Sequence, residues 1–331
     1  MHFFVRRAVY MLAVLLIVSI VSFIIIELPP GDYLTFYVMQ LEATGQEVDE
    51  ARLAALEMQY GLDLPVTARY FKWMRNIFRG NLGQSFQWNR PVAELLGERL
   101  PLTILVSFFT FAFVYVIAIP VGIYSATHQY SLGDYVFTVI GFSGMAIPNF
   151  LLALILMFLF YKYLGISVTG LFSSEYLTES WSLAKFVDLL KHLPVPVIVI
   201  GTAGTAGLIR VMRGTLLDEL KKQYVVTARA KGMKERALLF KYPVRVAINP
   251  IVSTMGWMLP AIVSGETITA IVLSLPTTGP LLIQALLSQD MYLAGSTVML
   301  LTALTVIGTF LSDMFLSALD PRIRYERKAR T

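Results

Sequence analysis

The chain has 331 residues, of which 56% are hydrophobic and 15% charged, with a formal net charge of +5 and a mean hydropathy of +0.66. Soluble domains carry about 25% charged residues, so the charged side chains are too few to cover a soluble protein of this size. The composition therefore excludes a soluble domain, a disordered chain and a fibrous protein. It predicts a polytopic membrane protein, in which the distribution of positive charge matters more than its sum.

The side chains that most often bind metals are scarce. Cysteine is absent, which excludes disulfides, Cys-ligated zinc, iron–sulfur clusters and thiol nucleophiles. The three histidines, His2, His128 and His192, are far apart in the sequence, whereas a closed zinc site requires about four ligands. We therefore expect no metal site and no cofactor bound by this chain.

Six stretches lack Asp, Glu, Lys and Arg and approach the length of about 20 apolar residues that crosses a bilayer core. They predict an all-α polytopic membrane protein with six transmembrane helices. Arg6 and Arg7 precede the first stretch, as in a signal peptide, but the stretch is long for one and no small-residue cleavage site follows, so we expect a retained helix. The stretches are residues 8–26, 100–127, 135–161, 193–209, 246–265 (continuing toward Leu275) and 291–312.

Basic residues orient these helices, because short cytoplasmic loops are enriched in Lys and Arg. Residues 210–245 carry ten Lys and Arg and residues 318–331 carry five, whereas residues 276–290 carry none. Placing the basic segments inside puts both termini in the cytoplasm. Residues 29–99, which carry nine acidic residues, are then extracytoplasmic.

Two of the loops have sequence patterns of their own. In the 29–99 loop, residues 48–60 and 66–78 predict two helices, with apolar contacts from Tyr70, Phe71, Trp73 and Phe78. This loop is interpreted either as a small extracytoplasmic cap or as a docking surface for a soluble partner. In the 210–245 loop, residues 218–242 are dominated by helix-favouring residues and include exposed apolar ones. Such a helix either lies on the membrane surface or fits a groove of a partner.

The cytoplasmic loop contains the run QYVVTARAKG at residues 223–232, continued through residues 233–242. This run resembles the EAA loop of the membrane subunits of bacterial ABC importers. More narrowly, it resembles the B-type half of the dipeptide/oligopeptide/nickel permease family, whose YVxTARAKG run is present without a gap. The resemblance is collinear over nearly the whole chain. The other matching stretches are residues 6–7, 60–65 with Tyr70 and Trp73, 80–83, 90–92, 98–101, 274–282, Asp313 and 319–324.

The resemblance implies the type I ABC importer permease fold, with a small extracytoplasmic helical insertion after the first helix. It implies a multi-pass protein of the bacterial inner membrane. The expected parts are an N-terminal transmembrane helix (1–28), an extracytoplasmic loop domain (29–99), a permease core (100–317) with an EAA-type coupling loop at 218–250, and a cytoplasmic tail (318–331).

The chain has no Gly-x-x-x-x-Gly-Lys-Ser/Thr loop, which would cradle a nucleotide phosphate, so we do not expect it to be an ATPase. The resemblance implies that ATP and Mg are bound by two partner ATPase subunits. The other implied partners are a homologous second permease subunit, an extracytoplasmic substrate-binding protein and membrane lipid, with no role for nucleic acid. The residues expected to contact the ATPase are Tyr224, Thr227, Ala228, Arg229, Ala230, Lys231, Gly232, Glu235, Arg236 and Phe240.

The candidate substrate pathway consists of residues that interrupt apolar stretches. Pro148 and Asn149 interrupt the third stretch, where a proline frees a carbonyl and an asparagine offers an amide. Glu266 is an intramembrane carboxylate, which is a functional hypothesis by default; it either contacts substrate or pairs with a polar group. Gly201, Gly204 and Gly207 recur every three residues, which indicates close helix packing or a place on the pathway.

The expected cargo is di- or oligopeptides, with oligosaccharides and metal complexes as alternatives that the family also carries. The family glutamate falls at Ala270 in this chain, with Glu266 one helical turn earlier, so the substrate is the least determined feature. Two other classes stay open. The Gly-x-Ser-Gly sequence at residues 141–144 resembles that of rhomboid proteases, although a serine nucleophile needs a base within reach. The second open class is a channel or receptor without ATP coupling.

Overall fold

A computed structural model describes residues 2–27, 33–43, 51, 53–54, 57–58, 64–255, 258 and 267–319. Within these ranges every regular element is a helix, apart from an isolated antiparallel bridge between Gln84 and Pro91. The all-α prediction is therefore confirmed. Glu266 lies outside the described residues, as does most of the helix predicted over 48–60.

The described helices are, in chain order, α1 (His2–Glu27), α2 (Tyr33–Ala43), α3 (Val66–Phe78), α4 (Val92–Thr127), α5 (Leu132–Ala146), α6 (Asn149–Leu164), α7 (Leu183–His192), α8 (Pro194–Leu220), α9 (Gln223–Ala230), α10 (Glu235–Lys241), α11 (Pro243–Ala247), α12 (Thr267–Val272), α13 (Thr278–Leu287) and α14 (Met291–Leu319). A single 3₁₀ turn, Ser174–Tyr176, precedes α7. The chain divides into two compact units. The first comprises Met1–Thr103 and Pro276–Val306, and the second comprises Ile104–Leu275 and Ile307–Thr331.

The first unit is built around a buried aromatic core. Trp73 of α3 is 1% exposed, and its ring lies 5.8 Å from that of Phe23 in α1. A side chain at Gly295 would put its Cβ 2.8 Å from the indole, so this glycine permits the close approach of α14. Of the predicted contact residues, Tyr70 hydrogen-bonds Ser19 at 2.8 Å. Phe71 also makes an apolar contact, edge to face with Tyr70 at 5.5 Å between ring centroids. Phe71 and Phe78 are nevertheless exposed, because they lie on the face of α3 away from Trp73.

Asp290 ties the loop after α3 to the start of α14 in the first unit. Its carboxylate accepts a hydrogen bond from the Ser85 hydroxyl at 2.5 Å and one from the Gln87 backbone N–H at 3.2 Å. The Leu293 N–H also donates to it, at 3.1 Å, which is the geometry of a helix N-cap. Burial raises the pKa of Asp290, and the hydrogen bonds, which lower it, only partly offset this.

This shift predicts a pH dependence of stability. An acid whose pKa is raised on folding holds its proton more tightly in the folded state, so stability should fall as the pH rises from the ordinary value of 3.8 through the folded value. Asp290→Asn should remove this slope, because the amide does not titrate. Thermal unfolding of both proteins in nanodiscs between about pH 4 and pH 7 measures it. Equal slopes in the two proteins would contradict the assignment.

The second unit contains the apolar stretch expected as one helix over 135–161. It forms two helices instead, α5 and α6, whose axes are bent by 107°. The cause is Pro148, which disfavours the helical conformation of the residue before it. Ile147 accordingly has φ −90° and ψ 121°, and α6 starts at Asn149. The prediction of one continuous helix here is wrong, although the proline and asparagine do interrupt the stretch as expected.

Three of the described helices are long and apolar enough to cross a membrane: Val92–Thr127, Pro194–Leu220 and Met291–Phe310. The bent α5–α6 pair would make a fourth if it counts as one span, and two shorter apolar helices, Val9–Ile24 and Thr278–Leu287, accompany them. The prediction of transmembrane character agrees with this inventory. The count of six stays a prediction.

Glycines allow close helix packing within the second unit. A Cβ added at Gly122 would lie 2.5 Å from the Met212 side chain, and one added at Gly201 would lie 2.8 Å from the Phe113 ring. At Gly207 it would meet nothing within 4 Å. Of the glycines that recur in α8, only Gly201 is therefore required for tight packing by its surroundings.

Candidate functional site

The loop between α8 and α11 forms two short helices, α9 and α10, which we call the α9–α10 pair (residues 223–241). The sequence favoured helix from 218 to 242, and the helix is broken at Gly232, which has φ +79°. This is the left-handed region, where glycine carries no steric cost. The residues on both sides of the turn are helical, as the sequence predicts.

A small apolar cluster holds α9 against α10. Val225 and Ala228 from α9 meet Leu238 from α10, and Leu238 is fully buried. Met233 and Tyr242 pack against the edge of the cluster. Because the cluster contains so few buried side chains, the relative position of the two helices depends strongly on Leu238.

Charged and phenolic contacts surround this cluster. Arg229 donates two hydrogen bonds to Glu235, Nε to Oε1 at 2.5 Å and Nη2 to Oε2 at 3.1 Å. The bonds from Arg229 lower the pKa of Glu235, so the pair stays charged at neutral pH. Tyr224 donates to Glu219 at 2.5 Å, and burial, followed by this bond, raises the pKa of Tyr224 to about 12. The phenol is therefore neutral under physiological conditions.

The predicted contact residues are mostly available to a partner. Of the ten, only Ala228 is buried. Phe240 is 54% exposed and Val226 49%, so the surface combines apolar side chains with cations. Such a surface can seat in a groove with an apolar floor and an acidic rim. The exposed members are Tyr224, Thr227, Arg229, Ala230, Lys231, Gly232, Glu235, Arg236 and Phe240.

Gly232→Ala should destabilise the turn between α9 and α10 by about 1–2 kcal/mol, because an L-residue is strained in the left-handed region. Gly232→Asn should cost less, since asparagine adopts this conformation more readily. The measurement is the rate of tryptic cleavage within residues 229–236, which reports local opening. The matched control is Gly214→Ala in α8, where a Cβ meets nothing within 4 Å. Equal cleavage rates for the two alanine variants would contradict the role of the turn.

A second polar site, which the sequence did not predict, lies between α5 and α8. Arg213 donates to both carboxylate oxygens of Asp134, at 3.0 and 2.9 Å. The Asp134 side chain is only 3% exposed, and the Tyr130 N–H donates to it at 3.0 Å. A signal was available: Asp134 is the sole charged residue of the 128–134 loop. Nothing in the sequence, however, identified Arg213, 79 residues away, as its partner.

A cavity of about 330 Å³ adjoins this ion pair. Its walls are mainly apolar, with Phe137 and Phe142 from α5 and Ile209 from α8, and Arg210 lies at its edge. Among the described residues Arg210 forms no salt bridge. The cavity is therefore a mainly apolar space whose lining includes the Asp134–Arg213 ion pair and Arg210.

Arg213→Gln should lower stability by about 1.5–3 kcal/mol, because it leaves the buried Asp134 carboxylate without its charged donor. Arg210→Gln, one helical turn away and without an acidic partner among the described residues, is the matched control and should have little effect. Thermal unfolding of the purified chain measures both. Equal shifts would mean that the ion pair contributes no specific stability. The exchange variant Asp134→Arg with Arg213→Asp should recover part of the loss.

The other residues singled out in the sequence, which are candidates for the substrate pathway, for a serine nucleophile and for metal binding, do not form a common site among the described residues. Pro148 and Asn149 lie at the α5–α6 bend, while Glu266 is outside the described residues. Ser143 contacts neither histidine in the described structure: His128 bonds Thr127 and Tyr124, and His192 bonds the Asp188 carbonyl. The described residues contain no group of three metal-ligating side chains.

Comparison with known proteins gives a consistent result. Residues 118–325 match the family model described as the binding-protein-dependent transport system inner membrane component, and residues 1–107 match the model for its N-terminal region. The oligopeptide transport system permease protein AppB of Bacillus subtilis is 33% identical over 98% of this chain and 99% of its own length. The dipeptide transport system permease protein DppB of Alkalihalophilus pseudofirmus is 29% identical, over 97% and 98%.

The fold agrees with these sequence matches. A chain of the MetNI methionine ABC transporter, solved in inward-facing conformations, superposes with a TM-score of 0.50 and 16% identity, over 69% of this chain and 96% of that one. At this identity the match supports the fold alone. The two family models and the full-length relatives together carry the assignment: the chain belongs to the family of inner membrane components of binding-protein-dependent transport systems.

Proposed function

We propose that this chain is a permease subunit of an ATP-driven importer, and that its cargo is di- or oligopeptides delivered by an extracytoplasmic binding protein. The observation that carries the proposal is the full-length similarity to proteins named as oligopeptide and dipeptide permeases, at 28–33% identity. Oligosaccharides and metal complexes are the alternative cargoes. A glutathione transport permease is also among the relatives, at 28% identity, and its cargo is likewise a small peptide.

The proposed architecture has six spans, with both termini in the cytoplasm of a bacterial cell. Residues 1–28 form the first span, and residues 29–99 form an extracytoplasmic helical insertion. Residues 100–317 form the permease core, and residues 318–331 form a cytoplasmic tail. The charge distribution supports this orientation, since the 210–245 and 318–331 segments are strongly basic and the 276–290 segment is not.

ATP hydrolysis is proposed to occur on two partner ATPase subunits, which bind ATP and Mg. The α9–α10 pair would seat in a cleft of one ATPase through Phe240 and the cations Arg229, Lys231 and Arg236. What supports this role is the exposure of these side chains on two helices that are packed together through Val225, Ala228 and Leu238. Closure of the ATPases would move the pair, and the pair would move α8, which ends three residues before α9 begins.

The substrate pathway is proposed to lie between this subunit and a homologous second permease. Pro148 and Asn149 at the α5–α6 bend, and Glu266, are its candidate residues. A break in a membrane helix supports such a position, because non-helical backbone at membrane depth is tolerated only where it faces protein or a water-filled space.

The decisive experiment reconstitutes the chain with its second permease, ATPases and binding protein in proteoliposomes. We expect ATP-dependent accumulation of labelled peptide that requires the binding protein, and peptides as the ligands that co-purify with that protein. Uptake of oligosaccharide or of a metal complex without peptide uptake would overturn the cargo. A chain that inserts normally but transports equally well without ATPases would overturn the importer mechanism. Removing residues 228–241 should leave insertion intact and abolish ATP-driven uptake.

A further inference from the structure

Helix α7 carries its apolar stripe on the outside. Leu183, Phe186, Val187 and Leu190 recur at intervals of three and four residues and therefore share one helix face. All four are exposed, Leu183 by as much as 80%. In a soluble protein such a stripe faces the core. The outward stripe of α7 therefore requires an apolar environment outside the chain.

The opposite face of α7 is buried, and polar contacts with the preceding loop hold it there. Lys185 and Asp188 are both buried. The Lys185 Nζ donates to the Glu179 carbonyl at 2.5 Å and lies 5.0 Å from the ring centroid of Phe172. Asp188 accepts two hydrogen bonds from Ser173, from its N–H and its hydroxyl, each at 2.7 Å. Turning the stripe inward would break all of these contacts, so the exposed position of the stripe is a stable feature of the fold.

The position of α7 along the chain indicates what covers the stripe. Helix α7 ends at His192 and α8 begins at Pro194, and α8 is one of the membrane-spanning candidates. Arg210 is the first charged residue of α8. The uncharged stretch that ends before Arg210 begins at residue 193, directly after Lys191 and His192, and it approaches the length of about 20 residues that crosses a bilayer core. Helix α7 therefore adjoins the end of this stretch that lies away from Arg210, next to the opposite membrane boundary.

Two further observations fit a lipid environment. Trp181 precedes α7 and is 62% exposed, and tryptophan is enriched at membrane–water boundaries. Two of the three Lys and Asp residues of α7, Lys185 and Asp188, are turned away from the stripe and buried, and the third, Lys191, lies exposed in the last turn, where a lysine at a membrane boundary can extend its ammonium group into water.

We propose that the face of α7 formed by Leu183, Phe186, Val187 and Leu190 is a lipid-contact surface, which anchors the start of α8 in the membrane leaflet opposite the α9–α10 pair. The surface takes acyl chains and the adjoining headgroup region. This inference depends on the membrane character of the family and not on the cargo or on ATP coupling, so its failure would leave the proposed function untouched.

The absence of cysteine from the sequence permits a direct test with single spin labels. The full-length chain, assembled with its partner permease and ATPases in nanodiscs of phosphatidylethanolamine and phosphatidylglycerol, would carry a label at Leu183→Cys, Val187→Cys or Leu190→Cys. Glu175→Cys, in the exposed 3₁₀ turn before α7, is the matched control. Collision rates with oxygen, which partitions into lipid, and with a water-soluble nickel chelate are compared.

The expected result is a high ratio of oxygen to nickel collisions at the three stripe positions, with loss of nickel access relative to Glu175→Cys. Nickel access at the stripe equal to that of the control would place the stripe in water and overturn the proposal. Protection from both reagents would identify a protein interface and overturn it as well. Three separate positions allow the test to proceed if one variant fails to insert.

Discussion

Leu238→Ala is expected to abolish ATP-driven uptake while leaving the chain inserted in the membrane. Leu238 is fully buried in the cluster that joins α9 to α10. Removing a buried leucine side chain costs about 2–5 kcal/mol, and this cluster has few other buried side chains to compensate. The exposed face of the α9–α10 pair would then lose its fixed shape, and the groove of the ATPase would have no rigid surface to receive.

Uptake of labelled peptide in proteoliposomes and co-purification of the ATPases measure this effect. The matched control is Leu239→Ala, the same change at the neighbouring residue, which is only partly buried and lies outside the cluster. We expect Leu239→Ala to retain most of the uptake. If both variants transport like the wild type, the α9–α10 pair does not transmit the motion.

Asp290→Ala is expected to cause the largest loss of stability in the first unit. The substitution leaves the N–H groups of Gln87 and Leu293 and the hydroxyl of Ser85 without their acceptor. Each buried donor left unpaired costs about 1–3 kcal/mol. The start of α14 also loses its N-cap, which is typically worth about 1 kcal/mol. The thermal unfolding midpoint in nanodiscs should fall clearly.

Ser85→Ala separates the contribution of the Ser85 hydroxyl to this network from that of the backbone N–H groups. It removes one donor to the carboxylate, which keeps its backbone partners, and it leaves only the Trp88 N–H, which donates to the Ser85 hydroxyl at 3.2 Å, without its acceptor. The loss should therefore be smaller than for Asp290→Ala. A common midpoint for Asp290→Ala and the wild type would show that water replaces the carboxylate without cost. The network would then position the 83–91 loop but not stabilise it.

Local sequence signals predicted much of this fold. The apolar stretches anticipated α4, α8 and α14, although α8 continues to Leu220, well beyond the predicted end at residue 209. A membrane helix keeps its backbone bonds after its apolar part ends, so charge composition marks the membrane boundary and not the helix end. The break before Pro148 follows from a rule that acts between adjacent residues, and composition alone did not reveal it.

Contacts between distant segments could not be predicted in the same way. The Asp134–Arg213 and Ser85–Asp290 pairs join residues 79 and 205 positions apart, and their partners depend on how helices pack. The same holds for α3, where the sequence marked four aromatic residues and the rotation of the helix decided which ones are buried. For the candidate site, the motif located the segment, whereas the fold supplied the Leu238 cluster that holds it.

The bend between α5 and α6 has a consequence for backbone hydrogen bonding. The two helices have 15 and 16 residues, or about 22 and 24 Å, so neither alone crosses a hydrocarbon core of about 30 Å. The break leaves the last carbonyls of α5 and the first N–H groups of α6 without intrahelical partners, apart from the Leu151 and Leu152 N–H groups, which both donate to the Pro148 carbonyl at 3.0 Å. Where such unpaired groups lie within the membrane, lipid offers them no partner, so water or a neighbouring protein segment must solvate them.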